Sequence, residues 1–386
     1  MALRMLEGAA GIFVVVGVLF DVFQSIVTPR PVAGRVRVSR YLIRSLWYCT
    51  RWVSFRINNV GRREALLGSF GPFSVLAELF TWVVLLLLGY GLVIDSMRDQ
   101  IRPEPPGFGD SLYFAATSML TIGFGDYVAT HAAARLVSIL AGATGLGMFA
   151  LVITFLYSLT QAFQRREIAV VTLEAGAGAP PSGVTLLETY ALAGVSGDLG
   201  RTFERWQAWA AEILDSHLAY PPLAYFRSSH DNDSWIGSLG AIMDAATLIL
   251  TTVEETGPNP VDGEVAVPRS VRGWAKLARS VGGHCIEDMV LYFRLPDGRD
   301  VGVELEEFRT ARARLERAGY RLRPEPEAWE AFRRLRAEYA LRINSLATYW
   351  ASPPAQWIGD RSPLRYRARH DGHVLSSEPP ASASGE

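Results

Sequence analysis

Residues 121–126 read Thr-Ile-Gly-Phe-Gly-Asp, and their types and spacing favour one kind of chemistry. Gly123 and Gly125 alternate with larger residues, and glycine adopts positive φ at little cost. Such a segment can turn consecutive main-chain carbonyls to one side, whereas an ordinary strand alternates them. Because a row of carbonyl oxygens can replace the water shell of a dehydrated cation, the segment predicts a cation site, with the Thr121 hydroxyl adding an oxygen at one end.

A short apolar helix is predicted just before this segment, over residues 111–120, with Asp110 and Ser111 as helix-capping residues. Ten residues make a helix of about 15 Å, which enters a bilayer without crossing it. Irregular backbone at membrane depth is tolerated only where protein buries it or water lines it. We therefore expect Ile122 and Phe124 to point away from the carbonyl row and to pack the loop against its surroundings.

Three apolar segments predict membrane-spanning helices, because a bilayer core of about 30 Å requires roughly 20 apolar residues. They cover about 9–28, 73–94 and 136–160. The first has no Ala-x-Ala-like cleavage site and arginines follow it, which favours a retained helix over a signal peptide.

Residues 110–126, between the second and third apolar segments, resemble the pore loop of potassium channels, in which four Thr-Val-Gly-Tyr-Gly loops form the filter. Here Ile122 stands for Val and Phe124 for Tyr. The resemblance covers about 73–163 and implies an outer helix, a pore helix, a filter and an inner helix. It implies K⁺ binding by the main-chain carbonyls of Thr121, Ile122, Gly123 and Phe124, within a filter completed by Gly125 and Asp126. One filter per chain, with four needed, implies a homotetramer.

The resemblance also implies a hinge glycine in the inner helix, and Gly145, nineteen residues after Asp126, fits that position best. Close helix packing is the alternative role for Gly142, Gly145 and Gly147, because small residues let helices approach in lipid.

Arginine counts predict the orientation in the membrane. Segment 29–72 holds nine arginines and segment 95–133 holds two, so the former is expected in the cytoplasm. The amino terminus is then outside and the carboxyl half is cytoplasmic. Within 29–72, arginines and apolar residues favour different faces, which predicts an amphipathic helix at the inner membrane surface. The alternative is a voltage-sensor helix with its arginines inside the membrane, but the arginines do not recur at every third position.

Several acidic residues stand out in or near the apolar segments. The outer loop carries Asp95, Asp99, Glu104 and Asp110, which could concentrate cations at a pore mouth. Asp21 lies within the first apolar segment, where a charge is costly, so we expect it to face protein and to pair with an arginine.

The carboxyl half has helical periodicity over about 184–194, 198–219, 234–256, 268–281, 302–319 and 326–350. A Gly/Pro-rich linker over 164–182 is expected to precede it, and residues 371–386 have the composition of a disordered tail. No catalytic or metal-ligand pattern stands out. The scattered residues that could have formed one are interpreted as surface or capping residues: His217, His230, Asp231, Asp233 and His284. Cys285 lies in no nucleophile motif.

The composition agrees with a membrane protein. The 386 residues include 49% hydrophobic and 20% charged side chains, and 38 basic against 39 acidic residues exclude a strongly basic nucleic-acid binder. Lys276 is the only lysine, a bias typical of GC-rich bacterial genomes.

The sequence thus predicts an all-α membrane protein with five parts: an amino-terminal membrane helix and arginine-rich segment over 1–72, a pore domain over 73–163, a linker over 164–182, a cytoplasmic helical domain over 183–370 and a tail over 371–386. The expected function is a potassium-selective, tetrameric channel of the plasma membrane, without enzymatic activity or cofactor. Its expected partners are lipid, K⁺ and an unknown gating ligand, and no nucleic acid. A less selective cation channel, or a ligand-binding membrane receptor in which the soluble domain is primary, remain alternatives.

Overall fold

The computed structural model describes residues 2–27, 38–230, 232–256, 265–296 and 302–359. In these ranges the chain is helical apart from two very short strands and the connecting turns, so the predicted all-α membrane fold is confirmed. The tail 371–386 and the arginines at 30, 35 and 37 lie outside the described residues.

Three of the described helices are long and apolar enough to cross a bilayer. They are α1 (Ala2–Val22, continued by a π-helical turn, Phe23–Val27), α3 (Val60–Ser96) and α5 (Ala132–Ala177). With 37 and 46 residues, α3 and α5 are about 55 and 69 Å long at 1.5 Å per residue. Both therefore project well beyond a hydrocarbon core of about 30 Å.

These lengths correct two expected boundaries. Residues 60–72, expected in the arginine-rich loop, form the first turns of α3, and residues 164–177, expected in the linker, form the last turns of α5. Charged residues end an apolar segment without ending a helix, and Val170 in the extension is buried in the core of the following domain. Helix α5 ends before Gly178, which has a φ of +76°, so only residues 178–182 connect it to the next helix.

Small residues bring α1 close to α3. A Cβ added at Gly11 would lie 2.6 Å from the Gly89 carbonyl oxygen, and one at Gly89 would lie 2.8 Å from Val15 Cγ2. Glycines at a helix contact allow this approach, because association in lipid depends on close packing. The first helix thus lies along α3.

Helix α2 (Val38–Ser54) is amphipathic as predicted, but its buried face contacts protein. Trp47 is 1% exposed, and its indole Nε1 donates a hydrogen bond of 3.1 Å to the Tyr349 carbonyl oxygen. Its ring packs against Phe70 and Tyr225, with centroids 4.9 and 5.4 Å apart. The Trp47 side of α2 is therefore covered by protein, where the buried indole N–H finds the partner that it needs. Other large residues of the same helix, Tyr41, Trp52 and Val53, are exposed.

The carboxyl-terminal helical domain follows, from residue 183 to the end of the described chain. One continuous hydrophobic core joins its helices to the end of α5 and to α2. Its helices are α6 (Gly183–Leu192), α7 (Leu199–Ala219), α8 (Trp235–Thr251), α9 (Arg269–Phe293), α10 (Leu305–Arg317) and α11 (Glu325–Tyr349).

Candidate functional site

Helix α4 (Phe108–Met119) packs against α3 and α5 and leads directly into the loop 121–126. Its twelve residues span about 18 Å, too short to cross a bilayer. The helix starts earlier than predicted, after Gly107, so Asp110 and Ser111 do not cap it. Both have other partners, because Ser111 Oγ donates to Asp95 at 2.8 Å and Asp110 accepts from the Tyr127 hydroxyl at 3.1 Å.

The backbone of the loop alternates in φ. Thr121, Gly123 and Gly125 have φ of +55°, +61° and +81°, whereas Ile122 and Phe124 are not in the positive region. Alternation between mirror-related conformations is the way in which successive carbonyls come to face one side of a chain. The two glycines take these values without a Cβ penalty. Thr121, for which the sequence predicted an oxygen ligand but no positive φ, takes a conformation that costs about 1–2 kcal/mol for an L-residue.

Aromatic side chains support the loop from one side. The Phe124 ring lies nearly parallel to the Tyr113 ring, with centroids 6.5 Å apart, and Tyr113 also contacts the Tyr127 ring at 6.1 Å. One chain nevertheless covers these side chains incompletely, since Ile122 is 50% and Phe124 is 69% exposed. The expected packing of both residues is therefore only partly provided within one chain.

Gly145 lies directly against the end of α4. A Cβ at this position would lie 1.8 Å from the Met119 carbonyl oxygen, far inside van der Waals contact. A Cβ at Gly142 would lie 3.3 Å from the Ser118 carbonyl oxygen, and one at Gly147 would meet open space. The structure thus gives Gly145 a packing contact with the helix that holds the loop, and α5 continues through it as helix.

A small antiparallel ribbon closes the other end of the loop. Strands β1 (Ile101–Arg102) and β2 (Val128–Ala129) pair, with Ile101 opposite Ala129. The segment after the loop is thereby tied to the segment that follows α3. Of the four outer acids, Asp95 and Asp110 already accept the hydrogen bonds described above, so these two carboxylates position α4 as well as adding charge.

Asp21 is buried, 4% exposed, and faces protein as expected. Its carboxylate accepts hydrogen bonds from Trp82 Nε1 at 2.8 Å, Ser39 Oγ at 3.1 Å and the Val38 main-chain N–H at 3.2 Å. Among the described residues, these donors occupy the place that we expected an arginine to fill. The network ties α1, α2 and α3 together.

Arg166 lies just beyond the apolar part of α5 and is held by hydrogen bonds from its guanidinium to the carboxyl-terminal domain; we call this the Arg166 clamp. The guanidinium donates to the carbonyl oxygens of Leu223 at 3.0 Å and Phe226 at 2.8 Å, and lies 3.4 Å from His217 Nε2. His217 Nδ1 is 2.8 Å from the Ile213 carbonyl oxygen, so Nδ1 carries the proton and Nε2 is left to accept from Arg166. Burial, and then the charge of Arg166, hold the pKa of His217 well below its usual range, and the imidazole is neutral.

Three carboxyl groups surround the same junction. Glu167 accepts from the Ser229 main-chain N–H at 3.0 Å, and Asp233 lies near both Glu167 and Glu174. Burial, with the neighbouring negative charges of Glu174 and Glu167, raises the pKa of Asp233 to about 7. His217 and Asp233 are buried, which corrects their interpretation as surface or capping residues. The only feature of the sequence that could have indicated this junction was the Arg165-Arg166-Glu167 run, which ends the apolar segment.

The other scattered candidates do not assemble. His230 and His284 are exposed, and Asp231 lies outside the described residues. Within the described ranges no group of three His, Cys, Asp or Glu side chains is placed to hold a metal. Burial raises the pKa of Cys285 to about 12, so its thiol is protonated at neutral pH and unsuited to act as a nucleophile.

Residues 77–162 match the family model described as "Ion channel". The match starts within α3, contains α4 and the loop 121–126, and ends within α5. An ion-channel domain therefore occupies this part of the membrane protein.

One curated relative is the uncharacterized membrane protein YdjJ of Bacillus subtilis (strain 168), with 24% identity over 239 residues. The similarity covers 58% of this chain and 64% of the relative's length. No solved structure matches the chain.

Proposed function

We propose that this chain is one subunit of a potassium-selective channel, which conducts K⁺ passively across the plasma membrane as a homotetramer. The carbonyl oxygens of residues 121–124 are the proposed K⁺ ligands, and Gly125 and Asp126 complete the filter. The observation that carries the proposal is the alternation of φ along residues 121–125, within the region that matches an ion-channel family.

Incomplete burial of the loop supports an assembly of several copies. A single chain offers carbonyls from one side only, and an ion at the centre of a ring needs oxygens from all sides. The half-exposed Ile122 and Phe124 would be covered by neighbouring copies. Helix α5 adds a strongly exposed apolar row that other copies or lipid would cover: Leu136, Ile139, Leu140, Leu146, Phe149 and Ile153.

The proposed orientation places the carboxyl-terminal domain in the cytoplasm, as the arginine distribution indicates. Because α5 continues without a break from the loop region into the core of that domain, a movement of the domain would be transmitted to the helix that lines the pore. The proposal therefore includes gating through the carboxyl-terminal domain.

Ion flux through purified protein in liposomes tests the proposal. We expect K⁺ to pass much faster than Na⁺ and Ba²⁺ to block. Gly123→Ala should abolish the selectivity, because a Cβ resists the φ of +61° at that position. Gly147→Ala is the matched control, since a Cβ there meets open space, and it should conduct like the parent.

The alternatives give different results in the same assay. Equal K⁺ and Na⁺ flux through intact oligomers would favour a less selective cation channel. Intact oligomers with no flux of either ion would contradict the channel proposal and favour a membrane receptor. Unchanged selectivity in Gly123→Ala would contradict the carbonyl-ring account.

A further inference from the structure

A cavity of about 100 Å³ lies where the membrane helices meet the carboxyl-terminal domain. Its apolar wall includes Phe155 of α5 and Ile43 of α2, and Tyr225 closes it from the domain side. Two exposed side chains, Tyr41 and Arg294, lie at its rim. A cavity of this size can hold a phosphate group with part of its ester.

Three arginines line the cavity, and no carboxylate among the described residues forms an ion pair with any of them. Arg40 lies over the Tyr292 ring, 5.2 Å from its centroid, Arg44 donates to the Tyr48 hydroxyl at 3.2 Å, and Arg294 is exposed. Buried arginines elsewhere do have acidic partners, as Arg336 has in Asp244 at 3.0 Å. The acidic lining residue is Glu78, so the described lining carries three arginines against one acid.

The cavity lies at the depth of lipid headgroups in the proposed orientation. Ser25 at the end of the first membrane helix, Glu78 near the start of the apolar part of α3 and Phe155 near the end of the apolar part of α5 all line it. These positions are the cytoplasmic ends of the three spans. Tyr41 and Tyr292 add the amphipathic rings that are enriched at such an interface.

We propose that this cavity binds the phosphate of an anionic membrane phospholipid. The guanidinium groups of Arg40, Arg44 and Arg294 contact the headgroup, because arginine binds phosphate oxygens through fixed, paired donors. The acyl chains lie on the Phe155 and Ile43 side, which an inorganic or soluble phosphate would leave unused. A bound lipid contacts α2, α5 and the carboxyl-terminal domain at once, and it holds them together.

Direct binding to the purified full-length protein in neutral detergent micelles tests the proposal. The probe is dioctanoyl phosphatidylglycerol, and the comparison ligands are dioctanoyl phosphatidylcholine and inorganic phosphate. Binding is measured by titration calorimetry. We expect saturable binding of phosphatidylglycerol, at least tenfold weaker binding of phosphatidylcholine, and no competition from inorganic phosphate at equal concentration. The assay needs no ion flux, so its outcome is independent of the proposed conduction.

Matched variants separate a built site from general attraction to basic surface. Arg40→Gln with Arg294→Gln should weaken binding by about fivefold for each guanidinium removed. The control removes two exposed arginines of the same arginine-rich segment outside the cavity, Arg56→Gln with Arg62→Gln, and should change the affinity by less than twofold. If the double cavity variant does not fold, the exposed Arg294→Gln alone should still weaken binding about fivefold.

Three results would overturn the proposal. Equal weakening by the control pair would mean that diffuse positive charge attracts the lipid. Equal affinity for phosphatidylcholine would mean that the headgroup charge is not recognised. Displacement of the lipid by inorganic phosphate would identify a soluble-anion site instead.

Discussion

The role of a single residue in this protein depends on the atoms that directly contact its side chain. Gly145 and Gly147 are two positions apart on α5, yet a Cβ at the first would meet the Met119 carbonyl oxygen and a Cβ at the second would meet nothing. The sequence offered hinge and packing roles for Gly145 as alternatives. The contact with α4 supports packing, and it means that a substitution there disturbs the helix that carries the loop 121–126.

We therefore expect Gly145→Ala to destabilise the assembled protein by about 1–3 kcal/mol, the usual cost of overpacking. Because the displaced atom belongs to the end of α4, the variant should also lose ion selectivity. Gly147→Ala serves as the control and should change neither property. Thermal unfolding of the purified oligomer and K⁺/Na⁺ flux in liposomes measure both effects. Parent-like unfolding and selectivity combined with a lower open probability would instead support a hinge at Gly145.

The carboxyl group of Asp233 makes stability depend on pH at the junction of α5 with the carboxyl-terminal domain. Its pKa rises from 3.8 in the unfolded chain to about 7 in the folded protein, so the folded state binds more protons between these values. Stability should therefore fall as pH rises through that window and level off above it.

Asp233→Asn should flatten this dependence, because an amide does not titrate. The melting temperature of the parent should decrease from pH 5 to pH 8 by more than that of the variant. Asp215→Asn, which changes an exposed carboxylate on α7, should retain the parental slope. Identical slopes in the parent and Asp233→Asn would show that another group titrates at this junction.

At the scale of elements, the helices were predictable and their ends were not. Apolar runs of bilayer length and helical periodicity locate α1, α3, α5 and most helices of the carboxyl-terminal domain. The ends of α3 and α5 were missed because a change from apolar to charged residues marks where lipid ends, while the helix continues into a protein core. Periodicity also predicted the amphipathic α2, but it could not say whether lipid or protein covers the apolar face.

The same distinction applies to the candidate site, where local features could be predicted from the sequence and contacts between distant residues could not. A local motif predicted the glycines of the loop 121–126, because their role depends on φ alone. The Arg166 clamp and the cavity bring together residues more than fifty positions apart, such as Arg166 and Phe226, and no local pattern indicates such pairings.

Trp47 tests the docking of α2. Trp47→Phe keeps an aromatic ring but removes the N–H that bonds the Tyr349 carbonyl oxygen, which leaves a buried acceptor unpaired at a cost of about 1–3 kcal/mol. We expect a lower melting temperature. Trp52→Phe on the same helix changes a residue that is 61% exposed and should have little effect. Equal melting temperatures for the two variants would mean that α2 does not depend on this contact.

At the scale of the whole molecule, two long helices, α3 and α5, connect the successive parts of the described structure. The loop 121–126 lies at one end of the membrane part, the cavity lined by Arg40 and Glu78 at the other, and the carboxyl-terminal domain beyond it. Helices α3 and α5 pass from the membrane part into contact with that domain, and α5 contributes Val170 and Leu173 to its core. In the proposed topology, in which the three candidate spans all cross the membrane, the amino terminus and the carboxyl-terminal domain lie on opposite sides.

Labelling of a cysteine at position 2 tests this arrangement. In Ala2→Cys protein in intact cells, we expect an impermeant thiol reagent to react from outside, because nine arginines in segment 29–72 against two in 95–133 predict that the former lies in the cytoplasm. The exposed Cys49 must first be changed to Ser, whereas Cys285 can stay because it is buried. The parent position Cys49, with Ala2 intact, is the matched control and should react only after the membrane is permeabilised. If position 2 is labelled only from the cytoplasmic side, α1 does not span, and the Asp21 network with Trp82 and Ser39 would then have to lie at a membrane surface.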